Sequence, residues 1–121
     1  MTTDPYSARV RARFAAPDHA GVVAAGRSVL VEDQDVRLQL SAVADDGRLE
    51  TLRFRAWGCP HTIAAAEAAC AALEGGPVEA LLEFSALDLM QYLAVPVEKT
   101  GRILVLEDAV RSLGHRFRDE P

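Results

Sequence analysis

Hydrophobic and polar residues alternate with a period of two along much of the first half of the chain. Residues 36–42 and 52–56 place apolar side chains at every other position, which is the pattern of strands with one buried face. A shorter apolar run at residues 28–31 is a candidate for a further strand. Asp46-Gly47 lies between the two longer runs and favours a hairpin, because both residues tolerate a positive φ. The pattern predicts three strands in a small antiparallel sheet.

The second half of the chain has the period of an amphipathic helix. From Pro60 onward the apolar residues recur at steps of three and four, and Gly-Gly-Pro at residues 75–77 ends that helix. Residues 81–93 predict one or two short helices, and residues 102–117 predict a last amphipathic helix. A short helix is also expected near the start of the chain, at residues 8–14.

The order of these elements predicts the fold class. Strands come first and helices follow, which favours an α+β domain with a three-stranded antiparallel sheet and helices packed on one of its faces. A chain of 121 residues can bury on the order of two-thirds of its unfolded surface without disulfides or a structural metal. No repeat or low-complexity segment divides the sequence, so we expect one domain over residues 1–121.

Composition and charge exclude some classes of partner. The chain carries 13 Lys and Arg against 18 Asp and Glu, a formal net charge of −5, and its arginines are scattered. Such a surface has no basic stripe for a phosphate backbone, so we expect no nucleic-acid partner. No apolar run reaches the ~20 residues of a membrane span, and residues 1–6 do not resemble a secretory signal. We therefore expect no membrane association and a cytoplasmic location.

The two cysteines are expected as free thiols. If the segment between Cys59 and Cys70 is helical, their Cα atoms lie about 16 Å apart, which is beyond disulfide reach. Cys70 falls on the apolar stripe of its helix, so we expect it in the core.

Cys59 is the main candidate for chemistry. It lies in Gly58-Cys59-Pro60, directly after the last strand. Pro60 suits the first position of a helix, so Cys59 takes the N-cap. Ser, Thr, Asp and Asn are preferred there. A thiol at this place faces unpaired amides and the helix dipole, which favour the thiolate needed for metal ligation or sulfur transfer. Simple packing of a small residue remains the alternative.

Other polar residues near Cys59 in the sequence are weaker candidates. Asp33 and Asp35 belong to an acidic loop between the first two strands, and their carboxylates could complete a metal site with a thiolate, although such loops are usually only solvated. His61 follows Cys59 by two positions, but we expect its side chain to point into solvent. His19 lies in a turn-rich connection and is expected on the surface.

Common catalytic motifs are absent from the sequence. It contains no dinucleotide-binding or phosphate-binding glycine motif and no Gly-x-Ser-x-Gly turn. It also lacks the Cys-x-x-Cys pair of a closed structural zinc site. We therefore expect a protein that is not an enzyme in its own right.

Four groups of residues form a pattern along nearly the whole chain. They are Tyr6, Ser7, Val10, Phe14, Pro17 and Gly21; Arg-Leu-Gln-Leu at 37–40; Arg-Phe-Arg-Ala-Trp-Gly-Cys at 53–59, followed by Ile63-Ala64; and Ile103-Leu104 with Glu-Asp-Ala at 107–109. In this order and spacing they resemble the iron–sulfur cluster scaffold family, the IscU proteins and the N-terminal domain of NifU, with one extra residue in the last group. The resemblance implies that family's fold, a role in iron–sulfur cluster assembly, and a cysteine desulfurase as partner.

The resemblance carries over only part of the family's ligand set. Cys59 matches the second of three ligand cysteines. The loop of the first corresponds here to residues 31–35, which hold no thiol, and Thr-Gly at residues 100–101 replaces the family's histidine and third cysteine. The resemblance implies an iron–sulfur cluster or zinc at Cys59. Asp33 or Asp35 could complete the site; Asp35 matches the family's loop aspartate if the loop is shifted by one residue, and an alignment without a gap places Gln34 there instead. We expect a single thiolate ligand to bind a cluster or a zinc ion only weakly.

The family's chaperone-recognition segment, Leu-Pro-Pro-Val-Lys, also differs in this chain. Residues 94–98 read Ala-Val-Pro-Val-Glu, so Glu98 reverses the charge of the family's lysine. Like-charge contacts are costly at recognition sites, and we do not expect the usual chaperone handover.

Three hypotheses about function follow. In the first, the protein is scaffold-like and binds iron or zinc, or accepts sulfur, at Cys59. In the second, the fold is kept as an interaction or regulatory module for the assembly machinery, without a metal. In the third, Cys59 from each subunit of a homodimer ligates one shared cluster.

Overall fold

A computed structural model of the protein describes residues 6–119. Residues 1–5, on which most of the expectation about a secretory signal rests, lie outside the described residues.

Three strands form one antiparallel sheet in the order β1-β2-β3. They are β1 (Arg27–Asp33), β2 (Val36–Asp45) and β3 (Arg48–Trp57). The three predicted strands are confirmed, and each is longer than its apolar pattern indicated. Their inward-facing residues, among them Leu38, Leu40, Leu52 and Phe54, are buried in the core.

Two tight hairpin turns join the strands. Asp46 and Gly47 have φ values of 52° and 77°, as a two-residue hairpin turn requires. Gln34 and Asp35 make the other turn, with φ values of 51° and 60°. Asp33 still pairs with Val36 across the sheet. The acidic loop expected between β1 and β2 is therefore shorter than predicted, because its first two residues, Glu32 and Asp33, belong to β1.

Within residues 6–119, four helices accompany the sheet, and two short 3₁₀ turns lie in the connections before and after α3. The helices are α1 (Ala8–Ala15), α2 (Pro60–Leu73), α3 (Ala86–Leu93) and α4 (Thr100–Asp119), and the 3₁₀ turns are Val78–Leu81 and Val97–Lys99. Helix α4 packs on β1 and β2, and α2 packs on β3. The predicted α+β class, with helices on one face of a three-stranded antiparallel sheet, is confirmed. None of the helices in residues 6–119 is both long and apolar enough to cross a bilayer.

Helix α2 is buried on nearly all sides, so the single apolar stripe predicted for it was too narrow. It packs against β3, α1, α3 and α4. Its many alanines allow these close approaches, and Glu67 and Cys70 are buried together with them. A helix surrounded in this way has no polar face, because every side meets another element.

The connection between α1 and β1 covers one edge of the sheet. The Phe54 amide donates to the His19 carbonyl over 3.0 Å, and the Gly21 amide donates to the Phe54 carbonyl over 2.8 Å. These bonds satisfy backbone groups of β3 that an exposed edge strand would leave unpaired. At the end of the connection, a Cβ on Gly26 would lie 2.2 Å from the carbonyl oxygen of Ala42, so only glycine fits there.

Candidate functional site

The candidate site lies where three segments meet beside the start of α2. These segments are the β1–β2 turn, the junction between β3 and α2, and the first turn of α4. The turn and α4 are in contact, since a Cβ built on Gly101 would lie 3.3 Å from Oε1 of Gln34. Arg102, the next residue of α4, lies near enough to the junction to help lower the pKa of the Cys59 thiol. Tertiary packing therefore brings together segments that lie far apart in the sequence.

Cys59 is the N-cap of α2, as its sequence context predicts. Its backbone is extended, with φ −79° and ψ 165°, and Pro60 follows at the first helical position. Its carbonyl accepts from the amides of Thr62 and Ile63 over 3.0 and 3.2 Å. The side chain is half-buried, and its Sγ lies 3.6 Å from Oγ1 of Thr62.

Hydrogen bonds favour the thiolate form of Cys59. Partial burial acts to raise the pKa of this thiol, but the hydroxyl and amide of Thr62, the amide of His61 and the side chain of Arg102 act against it and together hold the pKa below its ordinary value. Donors of this kind at a helix N-terminus stabilise negative charge. The surroundings of Cys59 thus suit an anionic sulfur.

His61 is buried, so the expectation that it points into solvent was wrong. Its exposed fraction is 3%, and its ring centroid lies 4.7 Å from that of Tyr6, just before α1. Within the described part of the chain, neither ring nitrogen has a hydrogen-bond partner. Burial lowers the pKa of His61, Lys99 lowers it further, and Glu98 acts against them. The imidazole is therefore favoured in its neutral form.

The two aspartates proposed as metal ligands lie in a cleft that Cys59 does not line. Asp33 and Asp35 are exposed, and they border an open cleft of about 430 Å³ together with Trp57 and Gly58. Asp33 accepts a hydrogen bond from the Gln34 amide over 2.8 Å. Among residues 6–119, no group of three or more His, Cys, Asp or Glu side chains is arranged to hold a metal ion. The sulfur of Cys59 therefore lies apart from the two aspartates that were expected to complete a metal site with it.

His19 belongs to an ion-pair network, so its expected place on the open surface was wrong. Its Nδ1 lies 2.6 Å from Oε2 of Glu67, and its Nε2 lies 3.3 Å from Oε1 of Glu74. The other carboxylate oxygen of Glu74 accepts from Nη1 of Arg53 over 2.6 Å and from the Leu52 amide over 2.8 Å. The sequence signal for this network was Glu67, a carboxylate in an otherwise apolar helix, because a buried charge needs a partner.

Comparison with known proteins decides the family of the chain. The sequence profile of the NifU-like N terminal domain matches residues 5–118. This chain belongs to the NifU-like N-terminal domain family. The suspected resemblance is thereby confirmed. Among the curated proteins, none matches the chain.

Solved structures share the fold of this NifU-like domain. The N-terminal part of a nitrogen-fixing NifU-like protein from Brucella abortus has a TM-score of 0.78 at 12% identity, with 95% of each chain covered. A putative iron–sulfur cluster assembly scaffold protein for the SUF system from Fervidobacterium islandicum AW-1 has a TM-score of 0.61 at 15% identity, covering 92% of this chain and 85% of the other. A hypothetical protein of known structure has a TM-score of 0.65 at 18% identity, and the match covers 86% of this chain and 95% of the other.

Sequence reasoning missed two residues of the NifU-like site. Gln34 and Arg102 were not among the candidates, although Gln34 lies within the stretch that matches the family's first ligand loop and Arg102 follows Gly101 directly.

Proposed function

We propose that this NifU-like domain acts in iron–sulfur cluster assembly as a scaffold-like protein that accepts sulfur at Cys59 from a cysteine desulfurase. The observation that carries the proposal is the set of hydrogen-bond donors around the half-buried sulfur of Cys59. Membership of the family supports the pathway, as does the shared fold with a protein named as a putative scaffold of the SUF system.

The proposed step is a thiolate–persulfide exchange. The thiolate of Cys59 attacks the outer sulfur of the persulfide on the desulfurase cysteine. A new S–S bond forms on Cys59 while the S–S bond of the donor breaks, and the donor cysteine leaves as a thiolate. The exchange needs no external oxidant or reductant. Because each Cys59 takes one sulfur and keeps it until handover, the domain is loaded stoichiometrically and is not an enzyme by itself.

Sulfur acceptance is favoured over iron or zinc binding by the chemistry around Cys59. A metal ion would compete with the donors that already contact the sulfur. Asp33 and Asp35 line a separate cleft, and hard carboxylates alone add little affinity for a thiophilic metal. In this proposal iron and the finished cluster are cargo of the domain. The cluster is assembled on another protein or with ligands that a partner supplies.

The location and the route of handover are part of the same proposal. Both cysteines are free thiols, which suits the reducing cytoplasm. Handover to an Hsp70-type chaperone is not proposed, since the exposed Glu98 reverses the charge of the matching family residue.

The test is sulfur loading by a cysteine desulfurase supplied with cysteine. Intact-mass analysis should show one added sulfur atom on the wild-type protein and none on Cys59→Ala. A Cys70→Ala variant is the matched control, since it removes the other thiol, and it should load like the wild type. Equal loading of Cys59→Ala, or no loading of the wild type, would refute the proposal.

Metal analysis of the same proteins decides between sulfur acceptance and metal binding. Zinc, iron and acid-labile sulfide are measured after anaerobic reconstitution. Bound metal at a fixed stoichiometry that is lost in Cys59→Ala would favour the metal-binding form of the hypothesis. A fall to monomer mass on chelation would favour a cluster shared across a homodimer.

An interaction module is the second candidate, and an exposed aromatic surface beside Cys59 favours it. Trp57 is 47% exposed, and the guanidinium carbons of Arg37 and Arg55 lie 5.0 and 5.9 Å from its ring centroid. Tryptophan and arginine often dominate the binding energy of interfaces. If this candidate is right, capture of the desulfurase survives Cys59→Ala and is lost in Trp57→Ala.

A further inference from the structure

Strand β1 lies at one edge of the sheet, and the hydrogen bonds of the other edge show which of its backbone groups point outward. The Phe54 amide and carbonyl bond to the connection before β1, so they point away from β2. Because directions alternate along an antiparallel ladder, Leu40, opposite Phe54, points toward β1, and Val29, opposite Leu40, points back toward β2. The residues of β1 whose backbone groups face away from the sheet are therefore Ser28, Leu30 and Glu32.

This edge is open over most of its length. Among residues 6–119, the outward groups of Leu30 and Glu32 have no hydrogen-bond partner. The Ser28 carbonyl accepts from Nη1 of Arg116 over 2.7 Å, and its second lone pair can accept another bond. Residues 28–31 contain no proline and no charge, the ladder of β1 with β2 has no bulge, and Leu30 is 51% exposed. The features that usually protect an edge strand are thus missing from its middle.

The charges of β1 make the strand complementary to itself. Arg27 begins the strand and Asp33 ends it, and neither has an ion-pair partner in the part of the chain that the structure describes. Glu32 is already paired, since its Oε1 lies 3.2 Å from Nε of Arg37. If two β1 strands pair antiparallel around Leu30, position 27 of each faces position 33 of the other. Each of the two unpaired charges then meets an opposite charge.

The same register satisfies the outward backbone groups. Leu30 faces Leu30 of the second copy, and Ser28 faces Glu32, so residues that point outward exchange hydrogen bonds with each other. A two-fold axis passes through Leu30, as an interface between identical copies requires. A register shifted by two residues would keep the direction of the bonds, but it would separate Arg27 from Asp33. Charge and hydrogen bonding therefore select one register.

We propose that β1 is a docking edge for a second copy of this chain, which pairs β1 with β1 antiparallel around Leu30 and joins the two sheets into one. The inference does not rest on the proposed function. The two β3 strands are outermost in this dimer, five strand spacings or about 24 Å apart. Since Cys59 follows β3, the two Cys59 residues are too far apart to ligate one cluster, and a chelator should leave the dimer intact.

Sedimentation equilibrium with charge-reversal variants is the first test. The mass of the wild type should rise from monomer toward dimer with concentration. Arg27→Asp and Asp33→Arg each place like charges opposite each other at both ends of the interface and should weaken self-association roughly tenfold. Glu50→Arg, at an exposed position of β3, is the matched control and should associate like the wild type. A wild type that stays monomeric at every concentration, or single variants that associate as tightly, would overturn the inference.

A mixture of the two variants tests the register itself. The Arg27→Asp chain carries a carboxylate at both positions 27 and 33, and the Asp33→Arg chain carries a guanidinium at both. An equimolar mixture should therefore form a heterodimer about as tightly as the wild type forms its dimer, although each variant alone is weakened. Loss of structure in either variant would give no such recovery. A mixture as weakly associated as its components would refute the facing of position 27 by position 33.

Disulfide crosslinking locates the two-fold axis with variants at exposed positions, in a Cys59→Ala background. Leu30→Cys places two thiols opposite each other, with Cα atoms about 5.5 Å apart, which is within disulfide reach. Glu32→Cys on the same strand is the control, because the two copies of position 32 lie four residues or about 14 Å apart along the strands. Mild oxidation should yield a covalent dimer of Leu30→Cys and little of Glu32→Cys. Equal yields would rule out pairing centred on Leu30, whatever the outcome of sulfur loading.

Discussion

The two cysteines of this domain have opposite surroundings. Cys70 is 1% exposed, and burial, reinforced by the charges of Glu67 and Glu74, raises the pKa of its thiol. Cys59 is half-buried at a helix N-terminus, and hydrogen bonds hold its pKa below the ordinary value. Since the thiolate is the reactive form, chemistry at a cysteine in the native protein is confined to Cys59.

Thiol labelling tests this contrast. In the native protein a disulfide reagent such as dithiobis-nitrobenzoate should label one thiol at neutral pH, and in denaturant it should label two. Cys59→Ala should show no rapid native labelling, because Cys70 is both inaccessible and protonated. Rapid labelling of native Cys59→Ala would contradict the assignment, while native Cys70→Ala should label like the wild type.

At the scale of elements, a glycine sets the distance between α4 and the first 3₁₀ turn. Gly114 is buried in α4, and a Cβ built there would lie 2.9 Å from Cβ of Leu81 and 3.0 Å from Cδ2 of Leu82. The 3₁₀ turn therefore packs directly on the backbone of α4. A larger side chain would force the two elements apart.

We expect Gly114→Ala to lower the free energy of unfolding. Overpacking in a core typically costs about 1–3 kcal/mol, which outweighs the gain of about 1 kcal/mol in helix propensity. Gly101→Ala is the control in the same helix, because its Cβ would meet only the flexible end of Gln34 at 3.3 Å, and it should be neutral or stabilising. Chemical denaturation of both variants measures the difference, and equal stability of the two would contradict this packing.

At the scale of the whole molecule, one ion-pair network joins three parts of the fold. His19 comes from the connection before β1, Glu67 and Glu74 come from α2 and its C-cap, and Arg53 comes from β3. The network fixes the connection against the sheet edge and the helix. Its charged groups make the stability of the fold depend on pH.

Glu74 should stabilise the fold at neutral pH and lose that contribution in acid. Partial burial acts to raise its pKa, but the Leu52 amide and Arg53, with a smaller effect of His19, hold its pKa below the ordinary value. A lowered folded-state pKa stabilises above the unfolded value of about 4.3 and ceases to do so as the pH falls through the folded value.

Unfolding of Glu74→Gln as a function of pH checks this expectation. At pH 7 the variant should be less stable by about 1.5–3 kcal/mol, the typical contribution of hydrogen bonds to a charged group. The difference from the wild type should shrink as the pH falls below about 4. Glu50→Gln, at an exposed position of β3, should show no such trend, and a constant deficit of Glu74→Gln at all pH values would refute the assignment.

Much of the fold could be predicted from the sequence because its signals are local. The alternation around Leu38 and Leu40 is a property of one strand, and Asp46-Gly47 specifies its turn through two φ angles. Pro60 fixes the start of α2 and thereby the place of Cys59 at the N-cap. Each of these features depends on residues that are close together in the chain, so it can be read from the local sequence.

The sequence by itself determined the α+β class, the element order and the position of Cys59. Only the tertiary structure decided that His61 is buried against Tyr6 and that His19 pairs with Glu67. These outcomes depend on the direction of side chains between elements that lie far apart in sequence, and packing of the whole domain sets those directions. The identity of a residue is fixed at one position of the chain, but the groups that surround its side chain come from other elements.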